Sequence, residues 1–210
     1  MKYLKTLSLA VIAAAALMAI VGAGTASATS TLCKVTEEEC SLANMWPEGT
    51  PIHAVLAPET HATLTPSGEL PEITCKESTI SGSPETTTTP EGAISVLSFG
   101  SCEPQEVETL ETGRLQVHWD EEAPEAHNGA LTASGVRVRV KAFFGSLSCD
   151  FGGEVTSGLT LTGGSPAHVD ATATIPMIKE TGFITCPENA IWHAEYEVTA
   201  PASLYVSKGV

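Results

Sequence analysis

Two short runs of this chain place metal-ligand residue types two positions apart: His168 with Asp170, and His193 with Glu195 and Glu197. On an extended strand that spacing puts the side chains on one face, so each run is half of a metal site that a neighbouring strand would have to complete. The sequence has neither the H-E-x-x-H helix motif nor a D-x-D-x-D-G calcium loop. Histidine beside glutamate is ordinary on a solvated strand, and the expectation is no metal ligand set. Ser165, His168 and Asp170 supply the residue types of a nucleophilic triad. His168 and Asp170 share a strand face, however, and Ser165 falls in the preceding turn, so they read as a polar hairpin. There is no G-x-S-x-G elbow. The expectation is no catalytic residue and no cofactor.

Carboxylates supply the enzymatic alternative. Asp120, Glu121, Glu122 and Glu125 follow Trp119, and two acids about 5–10 Å apart are the machinery of glycoside hydrolysis. An Asp/Glu pair near residues 120–125 would make the chain a wall or polysaccharide hydrolase. Acids gathered in an Ala- and Pro-containing loop instead repel one another into solvent, where they would at most hold Ca2+ loosely. Aromatic residues, at 5% of the chain, also give few platforms for sugar rings. The binding alternative rests on Arg137, Arg139 and Lys141, which alternate along one strand with Phe143 next on the same face. A basic stripe on an acidic chain would steer an acidic partner while the aromatic ring supplies buried area. Trp46, within Met45-Trp46-Pro47-Glu48-Gly49, lies outside any clean strand. Phe143, Arg139, Arg137 and Trp46 are therefore the candidate binding residues.

Lys and Arg number 10 against 25 Asp and Glu, a net charge of −15. Nucleic-acid binders need clustered cations to meet phosphate, so that class is excluded, and anionic lipid is disfavoured in the same way. Lys2 and Lys5 precede an apolar run from Leu7 to Val21, and Ala26-Ser27-Ala28 has the small-x-small pattern of a signal-peptidase site. Residues 1–28 are expected to be a signal peptide, with no membrane insertion after cleavage and a secreted or cell-surface product whose partner is an unknown extracellular or envelope component. An even six Cys in an exported chain read as three disulfides. Closing the shortest loops costs least, which favours Cys33–Cys40, Cys75–Cys102 and Cys149–Cys186 among the possible pairings. Residues 29–50 read as an irregular N-terminal segment with a short Cys loop, and 51–210 as a β-sandwich domain.

The fold class comes from periodicity. Alternation with period two recurs between Gly- and Pro-containing turns, the mark of an all-β, antiparallel β-sandwich built from hairpins and meanders. Glu111-Thr112-Gly113 reads as a hairpin loop pairing Val107 with Val117 and Thr109 with Leu115. Ser134-Gly135 and Gly145-Ser146 read as two tight turns that fold Ala130 to Phe151 into a three-stranded meander, with Val140 opposite Phe151 and Lys141 opposite Asp150. Gly163 to Ala167 closes a hairpin that sets Leu161 by Val169 and Leu159 by Ala171. Alternation from Ile191 to Val198 buries Trp192, Ala194, Tyr196 and Val198. Ser83 to Gly92, with Pro84, Pro90 and four threonines between them, reads as a mobile loop.

Several of these segments carry a resemblance. The leader, Leu32-Cys33-Lys34 through Cys40, Ile73 to Ser78, Ser148-Cys149-Asp150-Phe151-Gly152-Gly153 and Gly158 to Ile175 resemble exported all-β proteins of high-G+C Gram-positive bacteria, an uncharacterised group. The resemblance implies a location and a fold class and no activity.

Overall fold

A computed structural model of the chain describes residues 29–68, 70–142, 146–181 and 185–209. The period-two segments form β1 (Ser30–Cys33), β2 (Ile52–Leu56), β3 (Ala62–Pro66), β4 (Ile73–Gly82), β5 (Glu91–Glu103), β6 (Glu106–Glu111), β7 (Arg114–Trp119), β8 (Gly129–Ala142), β9 (Leu147–Val155), β10 (Leu159–Thr162), β11 (His168–Thr181), β12 (Asn189–Ala200) and β13 (Tyr205–Lys208). All strand ladders are antiparallel. The fold is all-β and sandwich-like, with an 11-stranded sheet and a 2-stranded one.

The larger sheet closes on itself. β2 and β3 lie head to tail between β12 and β4. β6 and β7 do the same along β8, and β9 and β10 the same between β8 and β11. Each of these three pairs acts as one kinked strand. The wall then runs in chain order through β2/β3, β4, β5, β6/β7, β8, β9/β10, β11 and β12, and β12 returns to β2/β3. That is an up-and-down ring of about eight strand positions, a number whose interior side chains can fill or leave open for one small ligand. The small sheet, β1 with β13, covers one end. Residues 29–50, read as irregular, thus contribute a strand whose Leu32 joins the core.

Two expected turns prove to be one kink. β6 and β7 do not face each other: Val107 lies opposite Val140 and Glu108 opposite Arg139, while Leu115 lies opposite Ala133 and Val117 opposite Leu131. Charge favours this arrangement, because the expected hairpin offered Glu106 only His118 and Glu108 only Gln116, whereas β8 offers Lys141 and Arg139. Gly113 has φ 71° and packs on the backbone of Ser134, Gly135 and Val136, leaving no room for a Cβ. Gly135, at φ 67°, occupies a bulge in β8 between Ala133 and Val136. A residue with a side chain would be strained at either glycine.

Ala130 to Phe151 is therefore two long strands and not a three-stranded meander. The β8–β9 register also sits two residues from the expected one, with Val140 opposite Cys149 and Val138 opposite Phe151. An even shift keeps every side chain on its face, so Val140 and Phe151 are buried as expected while Arg139, and not Lys141, faces Asp150. The β10–β11 hairpin has the expected register, with Leu159 opposite Ala171 and Leu161 opposite Val169. Along β12, Ala194, Tyr196 and Val198 are buried and Trp192 is half-buried.

The disulfides join Cys33 to Cys40, Cys75 to Cys102 and Cys149 to Cys186. The stretch read as a mobile loop is pinned. The Thr31 hydroxyl donates to the Thr87 carbonyl at 2.8 Å, Thr89 N–H to Ser30 O at 2.7 Å, and Gly49 N–H to Pro84 O at 2.8 Å. No helix among the described residues is long and apolar enough to cross a membrane.

Candidate functional site

The basic stripe on β8 stands between acids. β6 runs along one side, setting Glu106 opposite Lys141, Glu108 opposite Arg139 and Glu111 opposite Arg137. Arg137 meets Glu111 at 2.9 Å, and Lys141 meets Glu108 at 3.0 Å and Glu106 at 3.4 Å. On the other side Arg139 grips Asp150 with two parallel bonds, Nε to Oδ1 at 2.7 Å and an Nη to Oδ2 at 2.9 Å. The Asp150 side chain is 3% exposed. The Arg139 bond holds its carboxyl below the usual carboxylate range, with Arg137 and Lys179 adding attraction, while the same bond raises the Arg139 guanidinium. Fork-to-fork pairing of this kind is the strong form of a charged hydrogen bond. The stripe expected to face a partner is neutralised inside the sheet. Phe143, expected to extend it, lies outside the described residues.

Trp46 is half-buried against the core, donates its indole N–H to the Ser203 carbonyl at 3.2 Å and carries Lys34 Nζ 5.2 Å from its ring centre. It fastens the N-terminal segment to the loop before β13. Trp46 lies outside the strands, as expected, and its ring is packed against the core.

β11 and β12 do bring the two candidate metal half-sites onto one exposed face, with His168 opposite Glu197, Asp170 opposite Glu195 and Thr172 opposite His193. The closest link is Thr172 Oγ1 to His193 Nδ1 at 3.0 Å. Among the described residues the one group of three ligand types whose atoms converge is Cys33, Glu37 and Cys40, and its two sulfurs are bonded to each other. Glu37 there accepts Ser41 N–H at 2.9 Å and Asn44 Nδ2 at 2.7 Å, bonds that lower its pKa and shape the Cys loop. Ser165 donates to the Ala202 carbonyl at 2.9 Å and takes no part with His168. Asp120 accepts the Glu122 N–H at 3.0 Å at the head of an exposed loop that carries Glu121, Glu122 and Glu125. A shallow polar groove of about 290 Å³ over β7 and β8 is lined by Glu91, Arg114, His118 and Thr132. Its Arg114 is already paired with Glu91 and Glu85, at 2.6 Å each.

The feature that sequence reasoning missed is inside. Three chambers lie in series within the ring. The first, about 100 Å³, sits under the β1/β13 cover and is walled by Leu32, Ala54, Ile94, Leu131 and Leu204. The second, about 30 Å³, shares Ile80, Ile94, Leu115, Leu131 and Val169 with the first. The third, about 40 Å³, shares Leu97, Ala133, Val136 and Trp192 with the second and reaches Phe99 and Val107. Tyr196 lines the middle chamber, and its hydroxyl is 2.9 Å from Ser78 Oγ, which itself donates to the Ser98 carbonyl. Burial drives the Tyr196 phenol well above its ordinary pKa. The Trp192 indole N–H is buried without a hydrogen-bond partner. The available signal is compositional: inward positions Ala54, Ala133 and Ala171 are small, and 5% aromatic content leaves a closed ring underfilled.

Comparison with protein-family models, with curated proteins and with solved structures finds no match for this chain.

Proposed function

We propose that the chain is an exported, non-enzymatic binding or structural module of the cell envelope or extracellular space. One observation carries the reading: all six cysteines are joined in three disulfides within a closed β scaffold. Such bonds persist in oxidising compartments and are rare where thiols are kept reduced. The signal-like residues 1–28 agree with it. The acids of residues 120–125 stand on an exposed loop, an arrangement that favours solvation over paired general-acid chemistry.

The test is fractionation of a high-G+C Gram-positive host expressing the full chain, followed by incubation of the purified product with labelled wall polysaccharide. The expected outcome is an oxidised protein beginning at Thr29, found outside the cytoplasm, that releases no sugar. Retention in the cytoplasm with free thiols overturns the location. Sugar release that Glu122→Gln abolishes overturns the non-enzymatic reading.

A further inference from the structure

We propose that the exposed face shared by β11 and β12 carries a Zn2+ site, formed by Asp170 on β11 with His193 and Glu195 on β12. The inference goes beyond the module reading and does not depend on it.

Register assembles the site. His193 and Glu195 stand two apart on β12 and so share a face, and both are exposed, as is Asp170. Asp170 lies directly opposite Glu195, and Thr172 directly opposite His193. Opposed residues of an antiparallel pair have Cβ atoms about 4.5–5.5 Å apart, a span that two carboxylates can close on one ion. Either strand alone holds half a site, and the ladder joins the halves. His168, four residues before Thr172, is about 13 Å away by strand rise and lies outside it.

Charge gives the ion its place. Asp170 and Glu195 face each other, and neither has an ion pair with Lys or Arg among the described residues. Like charges directly opposite destabilise a ladder. Along β6 and β8 the chain avoids this, setting Glu106, Glu108 and Glu111 each against a cation. On β11 and β12 a divalent cation would turn the repulsion into attraction.

Hydrogen bonding prepares the imidazole. Thr172 Oγ1 is 3.0 Å from His193 Nδ1 and 3.5 Å from Asp170 Oδ1. A carboxylate only accepts, so the Thr172 hydroxyl donates to Asp170 and accepts the His193 Nδ1–H. Nε2 then keeps its lone pair, the arrangement in which histidines ligate metals while the other ring nitrogen donates. One imidazole with two carboxylates suits Zn2+, which takes nitrogen and oxygen donors in a four-coordinate shell that water can complete. Ca2+ wants six to eight oxygens and is poorly served. The ligand atoms do not all lie within 4.8 Å of one another in the structure, but the three side chains are exposed and turn without disturbing packed neighbours.

The test is calorimetric titration of ZnCl2, and separately CaCl2, into the purified disulfide-bonded protein at neutral pH. One saturable Zn2+ equivalent is expected, with a rise in melting temperature, and Ca2+ should bind at least tenfold more weakly. His193→Gln and Asp170→Asn should each weaken Zn2+ at least tenfold while leaving the metal-free melting temperature unchanged. Glu195→Gln takes the place of either variant that fails to fold. His118→Gln, on β7, should leave Zn2+ affinity as it was. No saturable Zn2+ binding overturns the proposal, as does unchanged affinity in a folded His193→Gln or Asp170→Asn variant, Ca2+ bound as tightly as Zn2+, or an equal loss in His118→Gln.

Discussion

The wall of this ring is continuous on one side and barely joined on the other. Between β11 and β12 the pairs run without interruption from His168–Glu197 to Pro176–Asn189. Between β5 and β7 they run only from Glu91–Gln116 to Ala93–Arg114. On the continuous side the backbone closes the wall, and side chains there are free to be plain: Thr, His and Asp outside, Ala inside. On the barely joined side the backbone stops short and side chains finish the closure. Val107 on β6 and Phe99 on β5 both pack against the core, and Arg114 clasps Glu91 and Glu85 across the β5–β7 ladder. Strength in a closed sheet can thus be spread unevenly. Local opening concentrates where backbone pairing and apolar contact are thinnest.

The largest test strikes the well-joined half. Cys149–Cys186 ties β9 to the segment entering β12 across a sequence separation of 37. Replacing both residues by Ala should cost about 4 kcal/mol on the chain-entropy account, read as the shift in a urea transition. A loss below about 1 kcal/mol would mean that the β8–β9–β11–β12 arc holds its shape without the staple, and the contrast with the seam would be greater still.

Arg139 and Asp150, on β8 and β9, come second and should respond unequally. Asp150→Ala leaves an arginine that is 31% exposed and can turn to water; losing charged hydrogen bonds there should cost about 2 kcal/mol. Arg139→Ala strands a buried carboxylate and should destabilise more than its partner's removal. This revises the reading of Arg139 as a residue free to meet a partner. The pH dependence has a definite sign. Asp150 has a folded pKa below its ordinary value, so its contribution is full above a pH of about 4 and is lost as pH falls through the folded value. Asp150→Asn should flatten that acid limb of the stability curve, and an unchanged limb would assign it to other carboxylates.

The contrast between these strands also explains what could be read from sequence. The β10–β11 hairpin was legible because Leu159, Leu161, Val169 and Ala171 alternate up to a loop rich in Gly and Pro, whose length sets the register. β6, β7 and β8 alternate just as well, but alternation fixes a face and not a partner. Gly113 and Gly135 look like turn glycines because positive φ serves a bulge as readily as a hairpin. Choosing between them required weighing Glu106, Glu108 and Glu111 against Lys141, Arg139 and Arg137 as whole rows. The disulfide pairs were legible from loop length alone. The chambers were not, because underfilling belongs to the closed ring and to no single strand. The charged stripe misled for the same reason, since its neutralising acids come from separate strands.

Hydrogen exchange should rank the two arcs directly. β12 has partners on both sides, with β11 from Asn189 to Glu197, with β3 from Ala190 to His193 and with β2 from Tyr196 to Val198. Amides of β5 beyond Ile94 pair with β4 alone among the described ladders. Native-state exchange should therefore be slower in β12 by at least about tenfold at amides facing the neighbouring strand. Equal protection along β5 and β12 would show that the seam is sealed by something other than the ladder.

The smallest effect should come from the clasp. Arg114 reaches Glu91 and Glu85 at 2.6 Å, yet its side chain is 40% exposed and those of its partners 44% and 50%. These bonds raise the Arg114 pKa and lower that of Glu85, but water and salt screen such pairs, and exposed ones contribute little to global stability. Arg114→Ala should accordingly leave the urea midpoint almost where it is. Its effect should be local: the Glu91–Ala93 ladder begins at this residue's own partner, so amides there should exchange faster while those of β12 do not change. High salt should bring the wild type toward the variant at the seam and nowhere else. A drop in global stability as large as that of Asp150→Ala would mean that the seam and the continuous wall unfold as one unit, and the two arcs would then differ in appearance and not in mechanics.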